Sequence, residues 1–277
     1  KMKLTYSKEI LNLLPEVLIE LIDLDDEQLV IWGNEKALNV FGTNLLDQPI
    51  TELIPFDRWR EIYSFLCENS KIAEMRFERD EKIYEFSGYY LPIERSDEKG
   101  RIQLIIRDIT EEVILATVDP LTNIFNRRHI NHLLAMETDR CKRFAKTFSI
   151  AMIDIDDFKN INDQHGHPIG DLVLQGFTRG VQDKLRQYDV LGRYGGEEFL
   201  LILPELSQVE SFEVVDRIRN HIEHLKIETE NQLALSVTAS FGVASFPETA
   251  ESPKDLILKA DEKLYKAKRA GKNRVVA

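Results

Sequence analysis

The stretch Arg193-Tyr194-Gly195-Gly196-Glu197-Glu198-Phe199 runs directly into Leu200-Leu201-Ile202-Leu203. Two adjacent glycines between strand-like segments have the composition of a two-residue hairpin. Both central positions of a type I′ turn take positive φ, which glycine adopts without steric cost. The apolar run that follows is short and bounded by charge, as a buried strand is. A turn bearing two carboxylates is therefore set on a buried strand, and by itself this needs no more than a hairpin whose acids face water. A second acidic cluster changes the weight of that reading. Asp154, Asp156 and Asp157 close another apolar run, residues 148–153. Two acid-tipped strands can share a metal ion. Mg²⁺ takes a few carboxylate oxygens and completes its shell with water and phosphate oxygens, the combination that nucleotide phosphoryl transfer uses.

Around these clusters the pattern reads as a strand at 148–154, a helix at 169–186, paired strands at 190–194 and 198–203, a helix at 207–225 and a last strand. In that last strand Leu235, Val237, Ala239, Phe241 and Val243 alternate with Ser236, Thr238 and Ser240. The order β-α-β-β-α-β is ferredoxin-like, an α+β arrangement. Further helices are expected at 126–144 and 253–270.

Gly195, Gly196, Glu197, Glu198 and Phe199 resemble the signature of GGDEF-type diguanylate cyclases in its Glu-for-Asp form. Other motifs follow in family order. Asp119-Pro120-Leu121-Thr122 with Asn126-Arg127-Arg128 resembles the entry motif, and Asp154-Ile155-Asp156 with Phe158, Lys159, Asn162 and Asp163 resembles the metal- and base-binding stretch. Gly166-His167, Gly170-Asp171, residues 240–244, Ala260-Asp261, Tyr265, Lys268 and Gly271-Lys272-Asn273 continue the match, so the resemblance covers 119–277.

The resemblance implies a palm-type ferredoxin-like domain that condenses two GTP molecules to cyclic di-GMP with loss of pyrophosphate. It implies Mg²⁺, with Mn²⁺ able to substitute, held by Asp154, Glu197 and the carbonyl of Ile155, with Glu198 adding to the site; Glu197 is also the family's general-base candidate. Phe158, Asn162, His167 and Asp171 would lie at the guanine nucleotide, because an Asp carboxylate accepts both N1–H and N2–H of guanine. Gly195 and Gly196 would admit the nucleotide to the backbone, and Lys268 and Lys272 would grip the β- and γ-phosphates as point charges. Each chain offers one GTP site, so homodimerisation is part of the implied mechanism. Arg186-Gln187-Tyr188-Asp189 occupies the position of the family's RxxD product-inhibition site, where Arg186 and Asp189 would hold cyclic di-GMP with help from Arg217. Asp157 departs from the pattern: relatives commonly carry an aromatic residue or histidine there, and an extra carboxylate either weakens GTP binding or points to solvent. A catalytically idle cyclic di-GMP receptor is the alternative, with a palm-fold cyclase making a mononucleotide product and a structural scaffold behind it. The Asp154/Glu197 pair argues against the first and the GGEEF turn against the second.

The chain before these motifs resembles a PAS domain. Trp32-Gly33-Asn34-Glu35-Lys36-Ala37-Leu38 with Phe41-Gly42 is similar to that family's first strand and helix, and Asp108-Ile109-Thr110-Glu111 to its exit motif. A helix is expected from the apolar spacing of residues 9–22, and strands at 29–32, 75–77, 83–90 and 102–106, with a polar turn at 96–100. The organisation reads as a PAS-like sensory and dimerisation domain at 1–112, a helical connector at 113–118 and the cyclase domain at 119–277. All six histidines follow Asp119, so a haem held by a PAS histidine is not expected, and the PAS ligand is left unassigned. His129/His132 and His221/His224 are spaced three apart but lack completing ligands, and solvated helix faces account for them.

The formal charge of −12 is uneven. Residues 1–112 hold 14 Lys and Arg against 24 Asp and Glu, so the remaining residues hold 22 against 24. Such acidity argues against a nucleic-acid polymer or a polybasic membrane contact, both of which need clustered cations. Cys67 and Cys141 have no metal-ligand spacing and read as free buried thiols of a reducing cytoplasm. No apolar run approaches the roughly 20 residues of a membrane span, and residues 1–10 show no signal-peptide pattern. The opening Lys1-Met2-Lys3 suits a longer protein with segments upstream.

Overall fold

The computed structural model describes residues 10–24, 27–69, 71–95, 98–228 and 234–277. Residues 1–9, read above as lacking a signal-peptide pattern, and positions 96 and 97 of the expected 96–100 turn lie outside the described residues. The chain divides into two compact units, Lys1–Ile114 and Leu115–Ala277.

In the first unit, strands β1 (Val17–Asp23), β2 (Gln28–Gly33), β3 (Lys71–Arg79), β4 (Lys82–Arg95) and β5 (Glu98–Asp108) form one antiparallel sheet in the order β2-β1-β5-β4-β3. Helices Glu35–Phe41 and Phe56–Asn69 lie between β2 and β3 in the chain. Ile19, Leu21, Ile62, Leu66, Phe86 and Leu104 belong to one buried cluster. The helix expected across residues 9–22 is corrected: from Val17 the chain is a strand whose residues alternate between buried and half-buried. Pro15 interrupts the apolar spacing, and the β-branched Val17, Ile19 and Ile22 suit a pleated strand. Buried Asn34 fixes the junction. Its Oδ1 accepts from the amides of Leu18 and Ala37, and its Nδ2 donates to the carbonyls of Leu11 and Glu16. Asp23, also fully buried, accepts hydrogen bonds from Gln28, Tyr63 and Tyr90. Cys67 is exposed, contrary to expectation, while Cys141 is buried; both are free thiols.

The connecting helix, Thr110–Thr117, buries none of its residues. Among the described residues, no helix is long and apolar enough to cross a membrane.

The second unit is built on a sheet of β6 (Phe148–Ile155), β7 (Val190–Arg193), β8 (Glu198–Pro204), β11 (Ala239–Phe246) and β12 (Val275–Val276), ordered β12-β11-β6-β8-β7; β9 (Ile227–Glu228) and β10 (Ala234–Leu235) pair separately. β6 is central, and every one of its residues is buried. Successive side chains enter opposite cores, as the period-2 geometry of a strand requires. Ala151, Ile153 and Ile155 join Val173 and Phe177 of helix His167–Gln182 and Ile218 of helix Gln208–His224. Ile150 and Met152 join Ile130 and Leu134 of helix Arg127–Phe144 and Leu256 and Leu264 of helix Pro253–Arg269. Burying full Ile, Leu or Phe side chains contributes roughly 1.5–3 kcal/mol each, and this two-sided packing fixes where β6 ends.

The expected last strand is shifted. It begins at Ala239 and runs to Phe246 with both faces buried, whereas Leu235 belongs to β10. Thr238 and Ser240 do not face water; they are drawn to a buried carboxylate described below. Helix Gln208–His224 starts where a capping box dictates: the Glu210 carboxylate accepts from the Ser207 amide at 2.9 Å, and Ser207 Oγ accepts from the Glu210 amide.

Candidate active site

The ends of β6 and β8 bring the two acidic clusters together. Asp154 is paired in register with Glu198, and the Ile155 amide donates to the Glu197 carbonyl at 3.3 Å. Between β7 and β8 the chain reverses through residues 194–197, with the Tyr194 amide donating to the Glu198 carbonyl at 2.8 Å. Neither Gly195 nor Gly196 has positive φ, so the expected type I′ turn is not formed. Gly195 instead gives room to the end of the Glu198 side chain, which would have to swing aside for any larger residue. A Cβ there would stand 2.5 Å from Glu198 Oε2, whereas one on Gly196 would meet nothing within 4 Å. The reversal is tied from outside the hairpin: Arg193 donates through Nη2 to the Gly196 carbonyl at 2.8 Å and through Nη1 to the Asp119 carboxylate at 3.1 Å. Sequence reading gave Arg193 no role, because its partner lies 74 positions away.

Asp154 is 5 % exposed and forms an ion pair with Lys268, Oδ2 to Nζ 2.6 Å. Burial pushes the Asp154 carboxyl above its ordinary value; Lys268 pulls it back, and the charges of Glu198 and Asp156 add to the rise. Burial likewise raises Glu197, and the negative charge of Asp154 adds to it. These are mutually repelling carboxylates in partly desolvated positions, a condition that a cation relieves.

Asp156, also buried, points elsewhere. It accepts hydrogen bonds from Thr238 Oγ1 and Ser240 Oγ, each at 2.7 Å, and from the Asn273 amide at 3.0 Å. One carboxylate thereby joins the end of β6, the start of β11 and the turn at Lys272–Asn273, where both residues have positive φ. These donors account for the polar residues Thr238 and Ser240 in the alternation read over 235–243. Asp157 has φ 58° and pairs with Lys272, Oδ1 to Nζ 2.6 Å. Lys268 and Lys272 thus both face this strand end, each engaged by a carboxylate.

Of the nucleotide residues expected from sequence, Phe158 is buried in the core as the first residue of helix Phe158–His165. Asn162 lies on that helix against Gly170 of helix His167–Gln182, where any Cβ would collide with its side-chain oxygen. His167 and Asp171 are exposed on the latter helix.

The Arg186–Asp189 segment forms a tight turn in which the Asp189 carboxylate accepts from the Arg186 amide at 2.8 Å and the Asp189 amide donates to the Arg186 carbonyl at 3.1 Å. It lines a cavity of about 370 Å³ together with Asn123, Phe125, Gln182 and Leu191. Arg217 is exposed on helix Gln208–His224.

Among the described residues, no three His, Cys, Asp or Glu side chains converge as a ready-made metal-binding group. The oxygens suit a hard divalent cation nonetheless: two carboxylates raised by burial and a backbone carbonyl at Ile155, with the Lys268 ammonium showing that a positive charge is already drawn to Asp154. Mg²⁺ sites supply few protein ligands and leave the rest to water and phosphate.

A ferredoxin-like α+β unit with carboxylates at the ends of two neighbouring central strands defines a palm-type class of domain. Residues 116–274 match the family model for the diguanylate cyclase GGDEF domain, and the chain belongs to that family. It is 37% identical over 178 residues to diguanylate cyclase DosC of Escherichia coli K12, a match covering 64% of this chain and 38% of that protein. Among solved structures it resembles the GGDEF domain of DgcB from Caulobacter crescentus in complex with c-di-GMP, with 31% identity, TM-score 0.56 and coverage of 58% of this chain and 93% of that one. It also resembles the active GGEEF domain of a diguanylate cyclase from Vibrio cholerae, with 33% identity, TM-score 0.50 and coverage of 54% and 94%. The chain spans less than half the length of the curated relatives it matches.

Proposed function

We propose that this chain is a diguanylate cyclase that condenses two GTP molecules to cyclic di-GMP and two pyrophosphates. The observation that carries the reading is the register pairing of Asp154 with Glu198, which sets the GGEEF turn against the end of β6. Asp154, Glu197 and the Ile155 carbonyl would hold Mg²⁺ or Mn²⁺, with Glu198 beside them; the ion, when bound, supplies charge neutralisation at the phosphates and acidifies the attacking 3′-hydroxyl. Lys268 and Lys272 exchange their carboxylate partners for the β- and γ-phosphates. Asn162 and Asp171 read the guanine edge, with Phe158 and His167 beside the nucleotide, and Gly196 leaves the backbone open to it. Glu197 is the candidate base for the hydroxyl proton, a role that cation binding weakens by lowering its basicity.

One GTP per chain requires two chains facing each other, so the working form is a homodimer. The first unit is read as a PAS domain, supported by its five-stranded antiparallel sheet in the order β2-β1-β5-β4-β3 and by helix Thr110–Thr117 leading out of it; its ligand is unassigned. Arg186, Asp189 and Arg217 are read as a product-inhibition site, supported by the cavity beside the Arg186–Asp189 turn. The site of action is read as the cytoplasm, where GTP is made, with no nucleic-acid polymer as partner and with an upstream membrane or sensor segment compatible with the reading.

The test is incubation with GTP and Mg²⁺, with nucleotides separated by liquid chromatography and mass detection. The parent is expected to form cyclic di-GMP and Glu197→Gln to form none. No product from the parent over a wide range of protein concentration, together with calorimetric binding of cyclic di-GMP, would replace this reading by the receptor.

A further inference from the structure

Asp157 stands where the Phe158–His165 helix begins, in the left-handed region at φ 58°, yet its side chain makes no capping hydrogen bond to that helix. Its carboxylate reaches across to Lys272, 115 positions along the chain, and lies 2.6 Å from Nζ. The Lys272 backbone has little freedom. Its amide donates to the Ala267 carbonyl at 3.1 Å, its carbonyl accepts from Arg274 Nε at 2.9 Å, and the next amide, of Asn273, is held by Asp156. Only the four-carbon side chain can swing. The two side chains of the pair are 41% and 56% exposed, and pairs in such positions are weak enough to exchange.

We propose that Asp157 is a latch that sets the affinity for GTP: it holds Lys272 in the nucleotide-free site and must release it for Lys272 to take the terminal phosphates. The inference rests on the reading of Lys272 as a phosphate-gripping residue. Once Lys272 has moved, Asp157 is an uncompensated carboxylate near a polyanion, so both states of the latch weaken nucleotide binding. Lys268 is engaged differently. Its partner Asp154 is buried and is itself a candidate cation ligand, so a bound cation compensates that carboxylate when Lys268 leaves. Among the described residues the Asp157 carboxylate has no such replacement, since its other polar contact is a 3.5 Å hydrogen bond from Asn160 Nδ2. The latch therefore discriminates by charge: a triphosphate displaces it more readily than a diphosphate or monophosphate.

The decisive variant is Asp157→Asn, because asparagine keeps the size of the side chain and tolerates the left-handed conformation. Binding of the α,β-methylene analogue of GTP with Mg²⁺ is measured by calorimetry for the parent, Asp157→Asn, Lys272→Met and the double variant. Asp157→Asn is expected to bind about three- to tenfold more tightly than the parent, with at least half of that gain lost in the Lys272→Met background. Equal dissociation constants for the parent and Asp157→Asn, or an equal gain in both backgrounds, would overturn the latch and leave the cyclase reading standing. Weaker binding by Asp157→Asn would also overturn it, since Asp157 would then be orienting Lys272 for the nucleotide. No binding by any of the four proteins would remove the cyclase reading and the latch with it.

Discussion

Arg193 joins the entry motif to the acidic turn: its Nη1 lies 3.1 Å from Asp119 Oδ1, while the same guanidinium holds the Gly196 carbonyl. Burial pushes the Asp119 carboxyl up, but hydrogen bonds from the Thr122 hydroxyl and amide and the Arg193 charge outweigh it, leaving Asp119 below its ordinary 3.8. A carboxylate depressed in the folded state contributes stability that is present above its unfolded pKa and lost as pH falls through the folded value. Asp119→Asn is therefore expected to cost about 1–2 kcal/mol near neutral pH, after allowance for solvent screening. The parent and variant unfolding curves should converge below about pH 4. A difference that persists unchanged into acid would show that the ionised pair is not the cause.

The Asp156 carboxylate has three donors in a buried position, so removing it leaves Thr238, Ser240 and the Asn273 amide short of acceptors. Asp156→Ala should lose about 2–4 kcal/mol in urea unfolding. Because the Lys272–Asn273 turn loosens with it, GTP should bind more weakly even where the variant is fully folded. Retained stability with retained affinity would contradict this account.

Asn162 can be disturbed without being mutated. Gly170→Ala places a methyl group against its side-chain oxygen, and overpacking of this kind costs about 1–3 kcal/mol. Displacement of the amide proposed to read guanine should raise KM for GTP about tenfold, and Gly170→Ala should blunt the preference for GTP over inosine triphosphate, as expected when a hydrogen-bonding group is misplaced. An unchanged preference would separate Asn162 from base recognition.

Arg186→Ala should leave the initial rate of cyclic di-GMP formation intact, because the cavity it lines includes none of the carboxylates at the ends of β6 and β8. Progress curves of the variant should stay linear where the parent slows, and calorimetric binding of the product should weaken by at least tenfold, the loss of a charged bidentate donor. Identical progress curves would remove the product-inhibition site.

What the sequence disclosed was local. The apolar run ending at Asp154 and the one beginning after Glu198 each announce a buried strand with acid at its tip, and Ser207 with Glu210 announces a helix start. Long-range choices were hidden. Ser240 and Thr238 look like a solvent face until Asp156, more than 80 positions earlier, is brought beside them. Arg193 looks like one more surface cation until Asp119 meets it. The strand at Val17 was obscured because leucines and isoleucines on both sides of Pro15 mimic helical spacing, and only the sheet supplies the partner that decides between the two periods. At Gly195 composition suggested a positive-φ turn that is not formed; a side chain there would instead displace the end of Glu198.

The paired register of β6 also bears on how this site can change. Each residue from Phe148 to Asp154 is matched on both sides, to β8 and, up to Ile155, to β11. Inserting or deleting one residue inside that strand would move the side chains beyond the change from one core to the other and put an isoleucine at Asp154's point of the sheet. The three acidic positions among the four residues after Ile153 can thus be tuned only by substitution, while length variation is confined to the loops. The strand acts as a ruler whose zero mark cannot be moved, and innovation in such a domain has to come from what is attached to it.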